Sequence, residues 1–135
     1  MREGLAWVAK YLATGQEWRA TATGERVILR EGERTSIVRL DEIDWIESSG
    51  NYVVVHAGRA VHRVRDTLAG FLAQLDPSRF MRISRSAVVN ADRVRELRGS
   101  EGGQIDVVLR TGETVPSSRR YRNHVREFFG KAPGR

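Results

Sequence analysis

The sequence predicts a mostly β domain of small antiparallel sheets with two short helices. Three observations predict it. From about Glu25, short runs rich in β-branched and aromatic residues recur, separated by turn signals. Two later windows, about 67–75 and 118–129, instead carry apolar residues at helical spacing. The chain has 135 residues, 40% hydrophobic and 30% charged. That length suits one domain with a real core, and the composition is that of an ordinary globular chain.

In chain order, REGLAWVAKYLA (2–13) sets Leu5, Val8 and Leu12 at helical spacing before Gly15 breaks the pattern. Residues 1–21 are thus expected to form an N-terminal helix or linker, residues 22–130 the domain proper, and 131–135 a tail. RVILR (26–30), TSIVRL (35–40), IDWIES (43–48), YVVVHA (52–57) and AVHRV (60–64) read as strands. Glu31-Gly32, Ser49-Gly50-Asn51 and Ala57-Gly58 turn the chain between them. Asp66 or Thr67 is placed to cap a helix over 67–75, with Leu68, Phe71, Leu72 and Leu75 on one face. Asp76-Pro77 ends it. FMRISRSAVVN (80–90) begins as a strand covered on both sides, since alternation separates Phe80 from Met81 and Ile83. VREL (94–97) and QIDVVLR (104–110) flank a Gly-rich loop, and ETVP (113–116) is a last strand. Ser117 or Ser118 then caps a helix to about Phe129, with Tyr121, Val125, Phe128 and Phe129 inward and Gly130 closing it.

Composition excludes several classes. No apolar run approaches the ~18 residues of a membrane span. Glu3 and Lys10 interrupt residues 1–13, unlike a signal peptide. There is no Cys, which removes disulfides and thiolate metal sites and fits a reducing, cytoplasmic setting. His56, His62 and His124 lack metal-ligand spacing, and no GxSxG elbow or phosphate loop is present, so neither enzyme chemistry nor a cofactor is expected. Asp41, Glu42, Asp44 and Glu47 read as an acidic surface flank. The net charge is +6. Residues 1–79 hold 11 Lys/Arg and 11 Asp/Glu, whereas 80–135 hold 12 and 6, so the excess lies in the second part. Of the 23 basic residues 21 are Arg, the side chain whose rigid fork fits phosphate and guanine edges. A polyanionic partner and a merely solvated basic surface both account for this.

Three constellations carry candidate chemistry. In Arg82-Ile83-Ser84-Arg85-Ser86, hydroxyls and guanidiniums project from a strand–turn edge toward phosphate or base edges. The competing reading is that Arg82 pairs locally and the serines bond the turn. In Ser117-Ser118-Arg119-Arg120-Tyr121-Arg122, three arginines crowd what reads as the first turn of a helix, where a bound anion would offset the positive dipole end. Ser48-Ser49-Gly50-Asn51-Tyr52 is a turn whose Asn side chain matches adenine.

The order of these pieces is more specific than any one of them. DEIDWIESSGNYVVVH, VRDTLAGFLAQL, RFMRISRSAVVNADRV, a Gly-containing hairpin and GETVPSSRRY together resemble the LytTR family of bacterial DNA-binding domains, over about residues 22–129. The resemblance implies an elongated, mostly β fold whose loops and β-edges enter successive major grooves. It implies two imperfect direct repeats of double-stranded DNA, one domain per repeat, with a possible homodimer on DNA. Carried onto this chain, base reading falls to Asn51, Tyr52, Ser84, Arg85 and Arg119. Phosphate contacts fall to Arg82, Ser86, Ser118, Arg120 and Arg122. Ser84 stands where the family often has His, a shorter donor. Family members commonly carry a receiver domain upstream, for which the first 20 residues are too short.

The expected function is therefore sequence-specific DNA binding by a bacterial transcriptional regulator of the response-regulator type, without catalysis. An RNA-binding or protein-interaction module using the same basic face is the alternative.

Overall fold

The computed structural model describes residues 21–23, 26–99 and 101–130. The expected N-terminal helix and the tail at 131–135 lie outside the described residues, except for Thr21, which opens the first strand. Eleven strands are described: β1 (Thr21–Thr23), β2 (Arg26–Glu31), β3 (Arg34–Arg39), β4 (Trp45–Ser49), β5 (Tyr52–Ala57), β6 (Ala60–Arg65), β7 (Phe80–Ser84), β8 (Ala87–Asn90), β9 (Val94–Gly99), β10 (Ile105–Leu109) and β11 (Thr114–Pro116). Two α-helices accompany them, α1 (Leu68–Leu72) and α2 (Arg122–Gly130). The expected mostly β class with small antiparallel sheets is the class observed.

Three antiparallel sheets form, ordered β1-β2-β3, β6-β5-β4-β8-β7 and β11-β10-β9. The five-stranded sheet is central because it is apolar on both faces. One face sends Ile46, Val53, Val55 and Val88 into a core with Val27 and Leu29 of β2 and Phe71 of α1. The other sends Met81, Ile83 and Val89 into a second core with Val107 and Leu109 of β10 and Val125 of α2. Strand β7 shows the alternation directly, since Phe80 belongs to the first core and Met81 to the second. Burying Phe71 completely contributes on the order of 2–3 kcal/mol.

Two buried polar residues tie the connections to this sheet. Asn90 is fully buried; its Nδ2 donates to the carbonyls of Leu40 (3.2 Å) and Ile43 (2.8 Å), and its oxygen accepts the Asp92 amide at 3.0 Å. The Asn that closes the 80–90 motif is thus a latch for a 3-10 turn at Leu40–Glu42, placed where a buried polar group must be fully bonded. Asp44 is not part of a surface flank, as its sequence neighbours suggested. It is 1% exposed, pairs with Arg93 Nε at 2.8 Å, and accepts the Gly58 amide at 2.8 Å. Glu47 is likewise engaged, 2.7 Å from His56 Nε2.

Both helices are shorter than their periodicity predicts. Thr67 caps α1, its Oγ1 accepting the Gly70 amide at 3.0 Å. After Leu72 the bonds tighten, Gln74 to Phe71 and Leu75 to Leu72, so the segment turns without extending the helix while Leu75 still reaches the core. The C-terminal helix begins at Arg122, because Arg119–Tyr121 forms a separate 3-10 turn. Neither serine caps it with its side chain. The Ser117 hydroxyl accepts the Ile105 amide at 3.3 Å, and that of Ser118 is enclosed without a partner. Tyr121 is half-buried rather than core.

Candidate nucleic-acid interface

The site is built from three turns. The first joins β4 to β5, where Ser49 opposes Tyr52 and Gly50-Asn51 form the loop. Gly50 has a φ of +62°, the left-handed first position that a tight two-residue hairpin favours. Asn51 and Tyr52 are exposed at this tip.

The second turn, Arg85-Ser86, joins β7 to β8. Its approach is bulged: Arg82 opposes Val88 and Ser84 opposes Ala87, leaving Ile83 as the extra residue. A bulge bends the strand and re-aims the residues beyond it. Arg82 then braces the turn from within, donating through Nε to the Ser84 carbonyl (3.1 Å) and through Nη2 to the Arg85 carbonyl (2.6 Å). The Ser84 hydroxyl accepts the Ser86 amide at 3.2 Å. The local-pairing reading thus holds for the side chains of Arg82 and Ser84, while Ser86 contributes only its main-chain amide. Arg85 is exposed.

The third turn carries Ser118-Arg119-Arg120. Arg119 and Arg120 lie in the 3-10 turn, so only Arg122 stands at the start of α2. The crowding of three cations on one helix end, expected from sequence, is therefore relieved. Arg122 packs on the backbone of Gly103: a Cβ built there would lie 3.0 Å from Nη1 of Arg122 and 3.9 Å from Nε of Arg119. The phosphate contact expected of the Ser118 hydroxyl is withdrawn, since that oxygen faces no solvent.

Main-chain hydrogen bonds join the three turns. The Ser48 amide donates to the Ser86 carbonyl at 2.9 Å, linking the first to the second. The Ser118 amide donates to the Ile83 carbonyl at 3.0 Å, linking the third to the bulge. Two basic clefts result. One, of 590 Å³, is lined by Asn51, Arg65, Arg82 and Arg85 together with the start of α1. The other, of 430 Å³, is lined by Gly103, Arg119, Arg120, Arg122 and Asn123. Among the described residues, no carboxylate forms an ion pair with Arg82, Arg85, Arg119, Arg120 or Arg122.

Sequence reasoning overlooked Arg65 and Asn123 as lining residues. Pairing β5 with β6 across Gly58-Arg59 sets Arg65 opposite Tyr52, and that register was available from the hairpin signal. Asn123 carried no signal.

A β scaffold that gathers guanidiniums without carboxylate partners from separate turns has the charge arrangement of a polyanion-binding domain. Known proteins specify which kind. The family model described as the LytTr DNA-binding domain matches residues 33–130, and the chain belongs to that family. A solved LytTr DNA-binding domain from Bacillus cereus superposes with a TM-score of 0.73 at 21% identity, covering 80% of this chain and 99% of that one; it shows the fold. The transcriptional regulatory protein BtsR of Escherichia coli K12 is 30% identical over 99 residues, 72% of this chain and 40% of that protein. The sensory transduction protein LytT of Bacillus subtilis is 26% identical over 113 residues, 84% of this chain and 47% of that protein. The chain thus spans less than half the length of these curated relatives. No helix among the described residues is long and apolar enough to cross a membrane.

Proposed function

We propose that this chain binds double-stranded DNA sequence-specifically, as the output domain of a transcriptional regulator. The observation that carries the reading is the pair of main-chain bonds, Ser48 to Ser86 and Ser118 to Ile83, that hold three donor-bearing turns together. Arg85 and Arg119 read base edges, with Asn51, Tyr52 and Ser84 beside them, by entering the major groove as turns and β-edges. A bidentate Arg–guanine contact discriminates by about 1–3 kcal/mol. Arg120, Arg122 and Ser86 contact phosphates, and Arg82 offers the part of its fork that the turn does not use. One domain occupies each half of a direct repeat, and two copies meet on the DNA. Family membership supports the partner class, as does a relative named a transcriptional regulatory protein.

Selection of bound duplexes from a random pool tests the reading. A recovered direct repeat is expected, and Arg85→Ala should flatten preference at one or two positions in each half. Equal retention of structured RNA or of an acidic protein would overturn it.

A further inference from the structure

Arg65 sits in the VRDTLAGFLAQL stretch, to which no binding role was assigned, and in the charge-neutral part of the sequence, yet it lines one of the two clefts. It ends β6, opposite Tyr52 in register. Around the 590 Å³ cleft, Arg65 arrives from the end of β6, and Arg82 and Arg85 from β7 and its turn. Arg65 and Arg85 are exposed and Arg82 is partly buried, so salt screens much of their mutual repulsion, and a negative group entering the cleft would relieve the rest.

The cleft's own carboxylate offsets part of this charge but forms an ion pair with none of the three arginines. Asp66 also lines it, but its Oδ1 accepts the Thr67 amide at 2.7 Å and its Oδ2 is enclosed. Among the described residues, Arg65 has no ion-pair partner. Arg82 has committed Nε and Nη2 to carbonyls, which fixes its plane and leaves the rest of its fork available.

We propose that Arg65 and the remaining face of Arg82 form a phosphate-binding cleft, and that its occupant is a backbone phosphate flanking the bases read from the Asn51 and Arg85 turns. The inference rests on the DNA-binding reading. It extends the contact surface from the turns onto the outer edge of the central sheet. Arg65 sets position and affinity there, without reading sequence.

The test uses the full chain and its selected duplex. Arg65→Ala should weaken the selected and a scrambled duplex alike and leave the recovered base preference intact. One phosphate contact fewer makes the loss of affinity between 50 and 200 mM salt about three- to fourfold smaller than in the unsubstituted chain. Arg65→Lys, which keeps the charge, should restore the salt slope. An unchanged slope and affinity in Arg65→Ala would overturn the inference, while altered preference in Arg85→Ala leaves the DNA reading standing. Loss of base preference in Arg65→Ala would also overturn it. Inorganic phosphate titrated into the free domain separates the sources: saturation at low millimolar concentration, with Arg65→Ala abolishing it and DNA binding untouched, would assign the cleft to a free anion instead.

Discussion

The carbonyl of Ile83, the residue set out of register by the β7–β8 bulge, accepts the amide of Ser118 at 3.0 Å. Ile83 is itself fully buried in the second core. One residue therefore anchors the strand inward through its side chain and fixes the third turn through its backbone. Ser118→Pro removes the donor. A net hydrogen bond is worth about 1 kcal/mol, so the urea midpoint should fall slightly. DNA affinity should fall more, by roughly tenfold, because Arg85 and Arg119 lose their fixed spacing. An unchanged dissociation constant would show that the turns are positioned by other contacts.

Gly103 has a φ of +83° and faces Nη1 of Arg122. Gly103→Ala both strains the backbone, by about 1–2 kcal/mol, and pushes Arg122 aside. Its salt dependence of DNA binding should become shallower by about one unit of slope, like that of Arg122→Ala. Competition assays across a salt series read this directly. A slope equal to that of the parent would separate Arg122 from the phosphates.

Asn90→Ala leaves the carbonyls of Leu40 and Ile43 and the amide of Asp92 without their buried partner. A loss of about 2–4 kcal/mol is expected, larger than that of an average substitution. Thr67→Ala, which removes only the α1 cap, should cost about 1 kcal/mol. Denaturant unfolding of both variants ranks them, and the reverse order would contradict the latch.

Glu31 links the β1–β3 sheet to β6, reaching His62 Nδ1 at 2.9 Å and the Arg63 amide at 2.9 Å. Burial acts to raise its pKa, but the Arg63 amide, the His62 hydrogen bond and the charges of His62 and Arg34 outweigh it, and the carboxyl sits below its ordinary value of 4.5. A depressed carboxylate stabilises the fold above its unfolded pKa, and that contribution disappears as pH falls through the folded value. Glu31→Gln should lower the melting temperature at pH 7 and flatten the fall in stability below pH 4.5. Parallel acid titrations of parent and variant would refute the linkage.

Much of the scaffold was legible because its signals are local. Strands β2 to β6 were marked by β-branched residues, with glycine turns at three of their joints, and Phe80 against Met81 announced a sheet covered on both sides. Residues 80–90, however, read as one stretch that the structure divides at Arg85-Ser86 into β7 and β8. The short β1 was not, since Thr-Ala-Thr has too little apolar content to register. The helix ends were misread for a different reason. Ser117 and Ser118 look like caps, but tertiary bonds to Ile105 and Ile83 engage the Ser117 hydroxyl and the Ser118 amide. Arg82 illustrates the limit for the site. Sequence alone left it between local pairing and a phosphate contact, whereas in the structure two of its donors brace the turn that presents Arg85. Whether a guanidinium builds a loop or projects from it depends on where carbonyls fall in space, which periodicity does not encode.

The joints between the three turns are amide-to-carbonyl links, indifferent to which side chains the neighbouring positions carry. Arg85, Asn51 and Arg119 can thus be exchanged for other residues while the frame that displays them stays put. On the proposed base-reading roles, a lineage built on this scaffold would drift to a new operator by respelling three exposed letters, at little cost in foldedness.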